Sequence, residues 1–150
     1  MNQIVNVIKN KKMDSKFYVS LEAARLLKEK GYDRECIAYY QNDEFHPYSV
    51  DLFKLSINDK NAAPFYMNQY SAPTKAEAID WLESKGIVVG LRYDNDDLYK
   101  DDSEWVYYIY QYDNEGRLDE TVSSWGMGMF YDTRLEAEEA AIIKALELLN

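Results

Sequence analysis

Two Thr-x-x-Glu capping boxes, Thr74 with Glu77 and Thr133 with Glu136, constrain this chain more than any other feature. In each, the Thr hydroxyl and the Glu carboxylate satisfy backbone amides that the first helical turn leaves without partners, so each marks a helix start. The first predicted helix follows Pro73 and closes at Gly86. The second carries Leu135, Ile142, Leu146 and Leu149 at i, i+7, i+11 and i+14, an apolar stripe on one helical face. Between them lie IVVGLRYD, an acidic loop, EWVYYIYQYD, the turn residues Asn114, Glu115 and Gly116, and a third strand expected to end in SSWGMGMFYD.

The amino-terminal half is read the same way. Ser20 stands before LEAARLLKEK, in which Leu21, Ala24 and Leu27 with Ala23 and Leu26 form a helical stripe, and Gly31 is the natural terminator. Residues 35 to 40 alternate as a strand, and a second strand is expected over 48 to 57, after a loop carrying His46 and Pro47. Residues 58 to 72 are expected to be irregular. Residues 1 to 16, with Ile4, Val5, Val7 and Ile8 before Lys9, Lys11, Lys12 and Lys16, are expected to form a flexible basic arm or an edge strand. The order α-β-β-α-β-β-β-α over 17 to 150 predicts a single α+β domain. Its sheet should be mainly antiparallel, with the helices packed on one face.

A chain of 150 residues can bury roughly 68–70% of its unfolded surface, enough for a core without staples, and its one cysteine excludes an internal disulfide. Nothing approaches the run of about 18 apolar residues of a membrane span, so the expectation is a cytoplasmic protein with no membrane partner. The net charge is -10. Residues 1 to 30 carry seven basic and three acidic side chains, so the rest of the chain is strongly acidic. Such a field repels phosphate backbones, and direct nucleic-acid binding is disfavoured. Residues 74 to 149 share the α-β-β-β-α order of double-stranded-RNA-binding domains, which grip phosphates with basic residues at the start of the last helix. Here that position reads Arg134, Leu135, Glu136, Ala137, Glu138, Glu139.

No catalytic constellation emerges. Cys36 and His46 are the only cysteine and histidine, and Cys36 lies in an apolar alternation that suits a buried, inert thiol. The Gly-Met-Gly-Met-Phe run at 126 to 130 opens no helix and lacks the third glycine of a dinucleotide fingerprint. The acidic loop fails the EF-hand spacing: counting from Asp94, the sixth position is Tyr99 instead of glycine and the twelfth is Trp105. No enzyme activity, cofactor or metal is expected.

Aromatic content stands out, with 14 Tyr, 5 Phe and 3 Trp making up 15% of the chain. In the strand after Glu104, Trp105, Tyr107 and Ile109 share one side, and Tyr108, Tyr110 and Tyr112 the other. With helices on one side only, Tyr108, Tyr110 and Tyr112 form a ladder on the open side. Trp125 and Tyr93 are the expected continuations on neighbouring strands, with Tyr39 and Tyr131 as alternatives. Large aromatics suit binding because they lose little rotamer entropy, although cross-strand pairs can also serve the sheet alone. Gly126 and Gly128, alternating with Met127 and Met129, predict a strand with one bare side.

The stretches YVSLEAARLLKEKGYD, SAPTKAEAIDWLESKGI, EWVYYIYQYD and FYDTRLEAEEAAIIKALELL, in this order, resemble a group of small uncharacterised proteins of phage, prophage and mobile elements in gut anaerobes. The resemblance spans roughly residues 18 to 149. It implies an intracellular accessory protein acting on a host or defence component. The expected function is a non-enzymatic interaction module that binds a protein partner through an acidic, Tyr-rich surface. The alternative is a small-ligand or nucleotide-binding protein with an aromatic pocket between sheet and helices, supplied with Arg92 or Arg117. A homodimer is a third use of the same surface.

Overall fold

The computed structural model describes residues 15–47, 68–94 and 104–150. After a 3-10 turn at Ser15–Phe17, helix α1 runs Leu21–Glu29, followed by strands β1 (Tyr39–Gln41), β2 (Glu44–His46) and β3 (Gln69–Ser71). Helix α2 is Lys75–Ser84, strands β4, β5 and β6 are Ile87–Asp94, Glu104–Tyr112 and Leu118–Ser123, and helix α3 is Arg134–Leu148. The chain is α+β, as its pattern predicts, with every strand pairing antiparallel.

Local chemistry sets the helices. Ser20 Oγ accepts the Ala23 amide at 3.2 Å, and α1 turns its Ala23, Ala24 and Leu27 side inward. Both capping boxes are formed: Thr74 Oγ1 accepts Glu77 N while Glu77 Oε2 accepts Thr74 N, and Thr133 and Glu136 repeat the exchange. On α3 the buried stripe is Ala137, Ala141, Ile142, Ala145 and Leu146; Leu135 and Leu149, at the helix ends, are only partly buried.

The strands lie in two three-stranded sheets, ordered β2-β1-β3 and β4-β5-β6, instead of in one. The partner of β1 is the segment that starts three residues later. Asn42 and Asp43 take positive φ (49° and 66°) and make a two-residue hairpin turn, so His46 belongs to β2 and not to a loop. The expected strand at 48 to 57 lies outside the described residues, as do residues 1 to 14. Within the stretch expected to be irregular, residues 69 to 71 pair with β1.

One apolar core joins all three helices to the larger sheet. Leu27, Trp81, Leu82, Ile87, Ile109, Ile142 and Leu146 are each at most 1% exposed and belong to a single cluster with Tyr107. Ile87, Val89 and Leu91 of β4 share this helical face with Tyr107 and Ile109 of β5, so α2 and α3 cover one side of the sheet. A buried Lys75 ties the amino-terminal turn to the core. Its Nζ donates to the carbonyls of Lys16 and Tyr18 and lies 3.4 Å from Glu139, whose other oxygen accepts the Ser20 amide.

Candidate functional site

The face of β4-β5-β6 turned away from the helices is built by strand parity. Register places Gly90 opposite Tyr108, Val88 opposite Tyr110 and Arg92 opposite Val106. On the other side of β5, Ser123 faces Tyr108, Glu120 faces Tyr110 and Leu118 faces Tyr112, with a bulge between the first two pairs. Val106 is fully buried, so the open stretch begins at Tyr108. Tyr108 and Tyr110 are partly buried, and Tyr112 is 53% exposed.

The two inner tyrosines stack, with ring centroids 6.4 Å apart and planes at 23°. Arg92 lays its guanidinium over the Tyr108 ring, 5.1 Å from the centroid, where the ring's negative face attracts it. Burial raises the Tyr108 phenol and Arg92 pulls it back. Gly90 makes room for this arrangement: a Cβ there would lie 3.4 Å from the Tyr110 ring, so a larger side chain would displace it.

The Gly126–Met129 run is not a strand. β6 stops at Ser123, the chain makes turns through residues 124 to 128, and pairing with β5 resumes only at Tyr131, which exchanges both backbone bonds with Trp105. Ser124 anchors the loop: its hydroxyl accepts the Tyr107 amide, and its own amide donates to the Tyr107 carbonyl. Ser123 Oγ accepts the Gly126 amide, and a Cβ at Gly126 would lie 2.9 Å from that oxygen. Gly128 sits at φ +68°, where side-chain-bearing residues are strained. The loop therefore presents Trp125, Met127, Met129 and Phe130 to solvent, at 57%, 45%, 48% and 42% exposure. Sequence reasoning singled out Trp125 but missed the other three. Two glycines one residue apart were the available signal for a turn.

Of the aromatic residues expected to act together, Tyr108, Tyr110 and Tyr112 share the open face, and Trp125 stands in the loop that leaves β6 beside Tyr108. Tyr93 does not join them. Its pairing opposite Trp105 places it on the helical face, where the two rings pack 5.4 Å apart. Tyr131 packs on Tyr107 on that same face, and Tyr39 belongs to the smaller sheet, stacked on His46 at 5.0 Å.

Other chemistry is subdued. Cys36 is buried, its thiol 3.6 Å from the Tyr32 hydroxyl, and burial pushes it up to about 11, so it carries no thiolate at neutral pH. Arg117 is paired with Asp113 and Glu115 in the turn after β5. Among the described residues no group of three or more His, Cys, Asp or Glu is placed to hold a metal, and no helix is long and apolar enough to cross a membrane.

On the helical side an open groove of about 540 Å³ runs between α2 and α3. Its floor is Val89, Leu91 and Trp105; Ala76, Ile79, Asp80 and Glu83 form one wall, Arg134 and Glu138 the other. The arginine of this concavity is Arg134, not Arg92 or Arg117, and Glu138 engages it at 3.0 Å.

Comparison with known proteins finds no matching family model, curated protein or solved structure.

Proposed function

We propose that this chain is a non-enzymatic protein-interaction module whose contact surface is the open face of β5 together with the Trp125–Phe130 loop. The observation that carries the reading is the stacked Tyr108–Tyr110 pair on a sheet face that no described helix covers, beside four exposed large apolar side chains. A half-exposed sheet ordinarily alternates apolar with polar residues, and large exposed apolar groups gathered in one place favour a partner. Tyr and Trp give such a surface wide contact at low entropic cost.

The charge pattern selects the partner. Glu120 lies exposed on the edge strand opposite Tyr110, and the whole chain is at -10. That favours a basic protein surface with apolar anchors and disfavours a phosphate backbone. The phage and mobile-element resemblance would make this partner a host or defence component, met in the cytoplasm. The buried, protonated Cys36 is not placed to act as a thiol nucleophile.

The test is hydrogen exchange on the protein alone and with a partner captured from host lysate at low salt. Protection concentrated in residues 107 to 112 and 123 to 131, together with release in high salt, is the expected result. Protection confined to the helices would overturn the reading, and protection of this face that grows with protein concentration alone would assign it to a symmetric dimer.

A further inference from the structure

The groove between α2 and α3 lies on the opposite side of the sheet from the Tyr face, and its charges do not cancel. Asp80 is engaged by Arg34 from outside the groove, and Glu138 by Arg134 within it. Glu83, exposed at the rim, has no ion-pair partner among the described residues. It stands in the last turn of α2, and the C-cap cation Lys85, two residues on, lies over the Trp81 ring and not against Glu83. The floor is of another kind. Ile79, Val89 and Leu91 are only partly buried aliphatic side chains, and Trp105 closes the end with Tyr93 tilted against it at 55°.

An apolar trough with one carboxylate outside any ion pair among the described residues and an aromatic end wall suits a long aliphatic stem carrying a cation. Lysine and arginine have that shape, and their heads gain from both carboxylates and ring faces. The walls are helices and the groove is open, so it fits a segment of chain better than an engulfed small molecule. We propose that this groove is a second contact surface, one that takes a basic, apolar-flanked segment of a partner protein with its cationic head at Glu83 and its stem along Ile79, Val89 and Leu91.

The full chain, labelled with nitrogen-15, is titrated with an amphipathic Leu/Lys peptide, a Leu/Glu peptide of the same length, and hexylammonium chloride. Expected are saturable shifts at the Trp105 indole and the Val89 and Leu91 amides with the Leu/Lys peptide, none with the Leu/Glu peptide, and much weaker binding of hexylammonium. Glu83→Lys should weaken the peptide by about tenfold or more, the scale of one close charge pair, whereas Glu29→Lys, exposed on α1 and outside both surfaces, should leave it unchanged. Equal loss in both variants would reduce the effect to general acidity and overturn the proposal. Absence of saturable binding, shifts centred on Tyr108 and Tyr110, or hexylammonium binding as tightly as the peptide would overturn it too.

Discussion

Tyr108 and Tyr110 stack on one another along a single strand, 6.4 Å between centroids, with the Gly90 backbone lying beneath the Tyr110 ring. Residues two apart on a strand share a face at about this spacing, and the missing side chain at Gly90 leaves the rings space to lie over the neighbouring strand. Arg92 then caps the Tyr108 ring, so the pair is ordered by its own sheet before any partner arrives. Ordered aromatics lose less entropy on binding than mobile ones.

Leu146 is fully buried on α3 within the core shared by all three helices. Leu146→Ala should cost about 2–5 kcal/mol, the transfer term plus the cavity it leaves. Denaturant melts showing a change under about half a kcal/mol, the size of an ordinary surface substitution, would contradict that placement.

Lys75, buried, and Glu139, partly buried, form a pair that also holds two carbonyls and the Ser20 amide. Lys75→Ala should destabilise by about 3–5 kcal/mol, because it leaves the carboxylate and both carbonyls without their cation. In a double-mutant cycle, Lys75→Met with Glu139→Gln should cost clearly less than the two single changes together. Additivity within about 0.5 kcal/mol would show the groups to be independent.

Alkaline pH should destabilise the protein. Burial raises the Cys36 thiol from its ordinary 9.0 to about 11 and the Tyr107 phenol from 10.0 to about 12, and it raises Tyr32 as well. In each case the folded chain holds the proton more tightly than the unfolded chain, so stability falls as pH rises. The contribution is complete below the ordinary values and is lost as pH climbs through the raised ones. Urea midpoints at pH 7, 9 and 11 should therefore be level between the first two and lower at the third; no fall at pH 11 would contradict the burial of these groups.

The helices were legible because their signals are local: caps three residues apart, apolar stripes at helical spacing, and a terminal glycine. The long strands β4 and β5 were legible for the same reason. The smaller sheet was not, since its strands are three residues long and its register depends on positive φ at Asn42 and Asp43, which the alternation of residues 35 to 40 does not convey. Which aromatics share a face depends on pairing between strands. Tyr93 looked like a continuation of the Tyr ladder, but its register opposite Trp105 turns it to the helices. A one-residue difference in register reverses such an assignment. In the Met127–Phe130 loop, alternation with glycine imitates the period of two of a strand, whereas the glycines serve a turn and a close approach to Ser123.

The most direct measurement of the central claim is the Tyr108→Ser, Tyr110→Ser double variant, compared with the unchanged protein for both melting temperature and partner capture. Both rings lie on the face away from the main core, so the melting temperature should stay close to that of the parent while capture is lost. A variant that unfolds would place these rings in the core, and one that folds and still captures the partner would remove the open face of β5 from the binding surface.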